Sequence, residues 1–147
     1  VSTTPTTGYI VDHPLIRKLV ETAQARMQDT ASDAERVEKL KPVFQELLQA
    51  EGWLPEEYAC TGDTTGMGGG IAAYALYRAE DASLCVFSFV IPPDTVTPIH
   101  DHGSWGLVGI YRGEQAETYY RRLDDGSEPG KAVLEQMDTQ ILRTGEF

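Results

Sequence analysis

The sequence predicts a mainly β domain, a barrel or sandwich of short strands, preceded by two or three helices. Three observations carry that expectation. Apolar residues recur at helical spacing through roughly the first third of the chain, the texture changes after Trp53, and the remainder breaks into short strand-like runs separated by turn residues. With 147 residues the chain fits one domain with a real core. We assign residues 1–55 to the helical part and 56–147 to the β part.

Taken in order, Val1 to Gly8 is rich in Thr, Ser and Pro and reads as a loose arm. Leu15, Ile16, Leu19, Val20, Ala23 and Met27 then recur at three and four, with Pro14 placed for a first helical turn. Ser32 and Glu35 form an S-x-x-E capping box for a second helix. Its stripe is Val37, Leu40, Val43, Phe44, Leu47 and Leu48, and Gly52 offers a stop. Pro42 falls inside that pattern and predicts a kink or a break. Gly66-Met67-Gly68-Gly69-Gly70 lacks the Gly-Lys-Ser/Thr of a phosphate loop and reads as a flexible turn. Beyond it, strands are expected at 72–78, 84–91, 106–111, 116–121 and 132–136. Asp81, Pro92-Pro93-Asp94, Arg112-Gly113 and Asp124-Asp125-Gly126 punctuate them, and such spacing suits a barrel or sandwich.

The formal charge of −11 argues against nucleic acid and anionic membrane as partners, since both repel an acidic surface. Two cysteines, Cys60 and Cys85, are too few for a disulfide framework and are expected as free, buried thiols. No basic leader followed by an apolar run opens the sequence, and no stretch is long enough to span a bilayer. A cytoplasmic enzyme or binding protein is the expectation.

Two of the three histidines sit in Pro98-Ile99-His100-Asp101-His102-Gly103. On an extended segment, side chains at i and i+2 share a face. His100 and His102 can then converge on one cation while Asp101 points away, and neutral imidazoles suit iron, zinc, copper or nickel. The competing account is two surface histidines in a loop.

The surroundings of the pair resemble the first motif of the cupin superfamily: Gly, five residues, His-x-His, three or four residues, Glu, six residues, Gly. Here the run reads Asp94, five residues, His100-x-His102, three residues, Gly106, six residues, Gly113. The spacing matches throughout, with Asp94 in place of the first Gly and Gly106 in place of the Glu. The resemblance implies a double-stranded β-helix, or jelly-roll barrel, with His100 and His102 as metal ligands and catalytic residues. The branch lacking the Glu includes the thiol dioxygenases, and Pro-Ile-His-Asp-His, then Arg-Gly and Glu117-Thr118, looks like cysteine dioxygenase in particular. Animal members carry at the Gly106 position a cysteine cross-linked to a tyrosine. Bacterial relatives often have Gly there, so no cross-link is expected. The similarity covers about residues 72 to 121.

By that resemblance the cofactor is Fe2+, with another divalent transition metal as an option, and the partners are O2 and a small carboxylate-bearing thiol. The product is a sulfinic acid, and a homo-oligomer stays open. An arginine upstream of the histidines grips the substrate carboxylate in that family, and Arg78 is the candidate, its planar guanidinium shaped for bidentate capture. The alternative for Arg78 is a solvated ion pair with Glu80 or Asp81. Trp105, Tyr119 and Tyr120 are candidate pocket walls, with core packing an equal alternative. The alternative function is a non-catalytic metal- or ligand-binding cupin.

The family's third ligand is a His in a second motif, which Gly145-Glu146-Phe147 resembles at its opening; the expected His would fall beyond Phe147. Three readings compete. The protein has been shortened, its last strands absent or supplied by another chain, which is favoured because an open barrel exposes strand edges. Glu117 acts as an oxygen ligand. Or the site binds metal poorly.

Overall fold

In a computed structural model that describes residues 6–29 and 32–147, helix α1 spans Pro14–Met27 and helix α2 spans Asp33–Gln49. Pro14 occupies the first turn of α1, where a missing N–H costs nothing, and His13 caps it, its Nδ1 accepting from the Leu15 N–H at 3.2 Å. The capping box forms in full at α2: Ser32 Oγ accepts the Glu35 N–H and the Glu35 carboxylate accepts the Ser32 N–H. The helix continues unbroken through Pro42, against the expected break. Pro42 faces solvent while Leu40 and Val43 on either side are buried, and their packing offsets the ~3 kcal/mol such a proline costs.

Among the described residues the architecture is mixed α/β: two α-helices and five antiparallel strands in two sheets. The chain forms two compact units, Val1–Leu107 and Val108–Phe147. In the first, β1 (Gly8–Tyr9), β2 (Ala72–Arg78) and β3 (Cys85–Val90) form an antiparallel sheet with β2 central. Residues 1–5 of the expected arm lie outside the described residues, and the arm ends in β1, where Tyr9 pairs with Tyr77 and packs on its ring at 4.9 Å. The core combines the helical stripes (Ile16, Val20, Leu40, Leu47) with Ile71, Ala72 and Leu76 of the sheet. The glycine-rich stretch is the turn into β2. Gly66, Gly68, Gly69 and Gly70 all have φ between 66° and 76°, and a Cβ on Gly69 would stand 3.1 Å from Thr95.

The second unit is a hairpin, β4 (Glu114–Arg122) with β5 (Leu134–Arg143). The strand expected at 106–111 is absent, and the reason is pairing. A strand needs a ladder along its length, which that run does not form; Ile110 exchanges backbone hydrogen bonds with Gly145 and Glu146 at 2.7 and 2.9 Å. The strand expected at 132–136 lies instead at 134–143, absorbing Ile141-Leu142-Arg143. Both cysteines are free, but Cys60 is exposed and Cys85 half-buried, which corrects the expectation of buried thiols. Among the described residues no helix is long and apolar enough to cross a membrane.

Candidate metal centre

His100 and His102 lie on the long irregular segment between β3 and β4, not on a strand. Their rings are neighbours nonetheless, with centroids 5.2 Å apart and planes inclined by 37°. With metal–nitrogen bonds of ~2.1 Å, two imidazoles sharing one ion at roughly 90–110° place their centroids about 4.6–5.4 Å apart. The observed separation falls in that range.

The backbone also orients one of the rings. His100 Nδ1 lies 2.6 Å from the Pro98 carbonyl oxygen. A carbonyl only accepts, so Nδ1 carries the proton, and Nε2 is left with the free lone pair a metal requires. A backbone carbonyl on the far nitrogen is a common way of orienting a ligating histidine. Nothing in the residue types announces this contact, because it arises from the chain path over Pro98-Ile99-His100. His102 makes no side-chain hydrogen bond among the described residues, and both imidazoles are exposed.

The donor set stops at two. Among the described residues, no group of three or more His, Cys, Asp or Glu side chains could hold a metal ion. The pair therefore fits the nitrogen half of a site. Crowding does not account for the missing carboxylate at Gly106, since a Cβ built there meets no atom within 4 Å.

Two further positions in the run gain meaning from their backbones. Asp94 has φ +60° and Gly113 φ +91°, both in the left-handed region that favours glycine. These are the first and last glycine positions of the motif described above. Asp94 thus takes a glycine-like conformation at the place where the motif has glycine, and Asp is among the residues that tolerate it.

Arg78 ends β2, is exposed, and makes no ion pair with Glu80 or Asp81; Asp81 instead accepts from the Ser83 N–H and hydroxyl at 3.0 and 2.6 Å. Its guanidinium is available to a carboxylate. Arg78 pairs with Cys85, the first residue of β3, whereas the histidine segment leaves β3 at Val90, a strand length of roughly 17 Å away. No hydrogen bond joins Arg78 to either histidine.

Glu117, on β4, is engaged within its own hairpin. It accepts from Tyr119 Oη and Gln115 Nε2, both at 2.9 Å, and Tyr119 Oη in turn accepts from Gln140 Nε2 at 2.6 Å. Partial burial, and then the Glu117 carboxylate, raise the Tyr119 pKa above the usual phenol value. The network was not visible in the sequence, because it depends on the register that sets Glu117 opposite Gln140. Tyr119 and Tyr120 are successive residues of β4 at an irregularity of the β4–β5 ladder, and Tyr119 has no partner in the register. Trp105 is half-buried in the histidine segment. A cleft of about 540 Å³ opens elsewhere, at the hairpin tip, lined by Asp124, Asp125, Ser127, Glu128 and Lys131 among others.

No protein-family model matches the chain, and no solved structure matches it.

Proposed function

We propose that the chain is a cupin of the thiol dioxygenase kind, a jelly-roll protein that binds ferrous iron through His100 and His102 and oxidises a small carboxylate-bearing thiol. The observation that carries this reading is the paired imidazoles, 5.2 Å apart, inside a run whose spacing resembles the cupin motif and whose two end positions are left-handed. In this reading the Pro98 carbonyl holds the Nδ1 proton of His100, Nε2 and the His102 ring hold the metal, and Arg78 takes the substrate carboxylate in a two-point grip. Neutral imidazoles leave the cation its full charge, and a ferrous ion so held supplies the chemistry that joins a thiol to dioxygen, R–SH + O2 giving R–SO2H. Cysteine and 3-mercaptopropionate are the substrates of choice. The charge of −11 supports a protein without nucleic-acid or membrane partners, and the proposal places it in the cytoplasm.

The test is oxygen uptake by the iron-reconstituted protein with these thiols, together with detection of the sulfinate. Absence of uptake with every small thiol ends the substrate assignment. His100→Ala and His102→Ala should each weaken ferrous binding by more than the roughly 10–100-fold that loss of an outer partner costs. Stoichiometric iron retained in both variants, measured by metal analysis after dialysis, refutes the site. Arg78→Ala should raise KM at least ~10-fold for carboxylate-bearing thiols and leave simple thiols unchanged; equal effects make Arg78 structural.

The exposure of both imidazoles and the two-donor set favour a second reading, a cupin that binds a metal or ligand without catalysis. Tight metal binding with no thiol-dependent oxygen uptake selects it.

A further inference from the structure

Strand β3 is an edge of its sheet among the described residues, and nothing in its sequence defends that edge. Natural edges carry a lysine, a proline, a bulge or a charge to stop a second chain from adding on. Cys85–Val90 has no lysine, proline or charge, the irregularity of its ladder lies across from it between Ala75 and Tyr77 of β2, and no charged residue occurs between Asp81 and Asp94. The other strands differ: β4 and β5 carry Glu114, Arg121, Glu135 and Arg143, and the opposite edge, β1, is only two residues long. On the open face of β3, Phe87 and Phe89 remain 52% and 58% exposed. Their register partners on β2 are Ala75 and Ala73, side chains too small to cover them.

The order of residues says what fits this edge. Val86-Phe87-Ser88-Phe89-Val90 reads the same in both directions. Antiparallel pairing about a two-fold axis at Ser88 sets Phe87 against the second copy's Phe89, Val86 against its Val90, and Ser88 against its own equivalent. An isologous interface demands this self-complementarity, and aromatic pairs across antiparallel strands are among the stabilising ones. A second copy is also the partner for which charge selects this edge. Two chains of −11 repel over most of their surfaces and can meet closely only where neither is charged.

We infer that β3 is a homodimerisation edge, two copies joining antiparallel through Val86–Val90 into a continuous six-stranded sheet. The inference stands independently of the metal reading.

Sedimentation velocity on the full chain, from micromolar to millimolar concentration, should show a monomer–dimer equilibrium that tightens as salt screens the net charge. Phe87→Lys with Phe89→Lys sets lysine against lysine twice and should weaken association at least ~100-fold. Phe87→Lys with Phe89→Glu sets lysine against the other copy's glutamate at both pairs and should recover dimer. Circular dichroism verifies folding of each variant. Hydrogen exchange of the unmodified chain should show β3 amides gaining protection as concentration rises. A wild-type monomer at every concentration overturns the inference. So does a dimer that survives the double-lysine change, a lysine–glutamate variant as monomeric as the double-lysine one, open-ended oligomers, or β3 protection independent of concentration.

Discussion

In the unit Val1–Leu107, Ile16, Val20 and Leu76 are almost wholly withdrawn from solvent, whereas in Val108–Phe147 every residue of β5 except Leu142 remains exposed. The first unit gains its stability from packing, with helical stripes laid against a sheet. The second depends on directed bonds: the β4–β5 ladder, the Thr118–Thr139 hydroxyl pair at 2.9 Å, and the Gln115–Glu117–Tyr119–Gln140 chain. A two-stranded ribbon in water is marginal by itself, because it buries little apolar area against the entropy of ordering its residues. The contrast teaches that a regular ladder does not imply a stable unit.

The largest expected effect separates the two kinds of support. Leu76→Ala removes a side chain that is 1% exposed and should cost ~2–5 kcal/mol in urea unfolding followed by fluorescence of the buried Trp53. Ile141→Ala, at a position 49% exposed, should cost less than about 1 kcal/mol. Native-state hydrogen exchange should agree, with β4 and β5 amides opening well below the free energy that protects β2. Equal costs, or equal protection, would mean that the hairpin shares the packing of the first unit.

The helices were legible in the sequence because their signals are local: Pro14 at a first turn and the Ser32–Glu35 box need no distant partner. Strand β2 was legible to the residue, at 72–78. The run at 106–111 has strand composition but lacks a neighbour along its length, and pairing is not written in composition. The candidate site divides in the same way. The adjacency of His100 and His102 followed from their spacing, although the extended strand invoked for it is an irregular loop. The Pro98 carbonyl and the engagement of Glu117 depend on chain path and register, which residue types do not specify.

A smaller effect sharpens the account of the hairpin, whose tip Asp124 ties across the turn while Asp125 accepts the Ser127 N–H and Glu128 pairs with Lys131. Asp124 accepts from Arg122 Nε at 2.6 Å, from the Gly126 N–H at 2.8 Å, and from the Val133 N–H. The Val133 N–H above all, then Arg122, lower its pKa from 3.8 to about 2. A carboxyl depressed in the folded state contributes stability that is complete above its unfolded value and disappears as pH falls through the folded one. The tip should therefore loosen between about pH 4 and pH 2, seen as faster exchange of the Val133 and Gly126 amides relative to other hairpin amides. Asp124→Asn should abolish that dependence at the Val133 and Gly126 amides, leaving at Ser127 the dependence that Asp125, also lowered by its bonds from Ser127, contributes. If the variant keeps the same pH profile, another carboxyl controls the tip.

The smallest effect concerns backbone strain in the first unit, where, among the described residues, two exposed non-glycine residues take a glycine conformation. Ala82 has φ +58° in the turn joining β2 to β3, and Asp94 has φ +60° at the start of the motif run. For a residue with a Cβ the left-handed region costs ~1–2 kcal/mol, and glycine avoids that cost at the expense of ~0.5–1 kcal/mol in unfolded-chain entropy. Ala82→Gly should accordingly stabilise by ~0.5–1 kcal/mol. Asp94→Gly should gain only a few tenths, because Asp accommodates this conformation better than Ala does. Both are read as shifts in urea midpoint at constant slope. A destabilising Ala82→Gly would show that the turn is not strained. A large gain at Asp94 would show strain stored beside the histidines, and iron binding by Asp94→Gly would then report whether that strain shapes the pair.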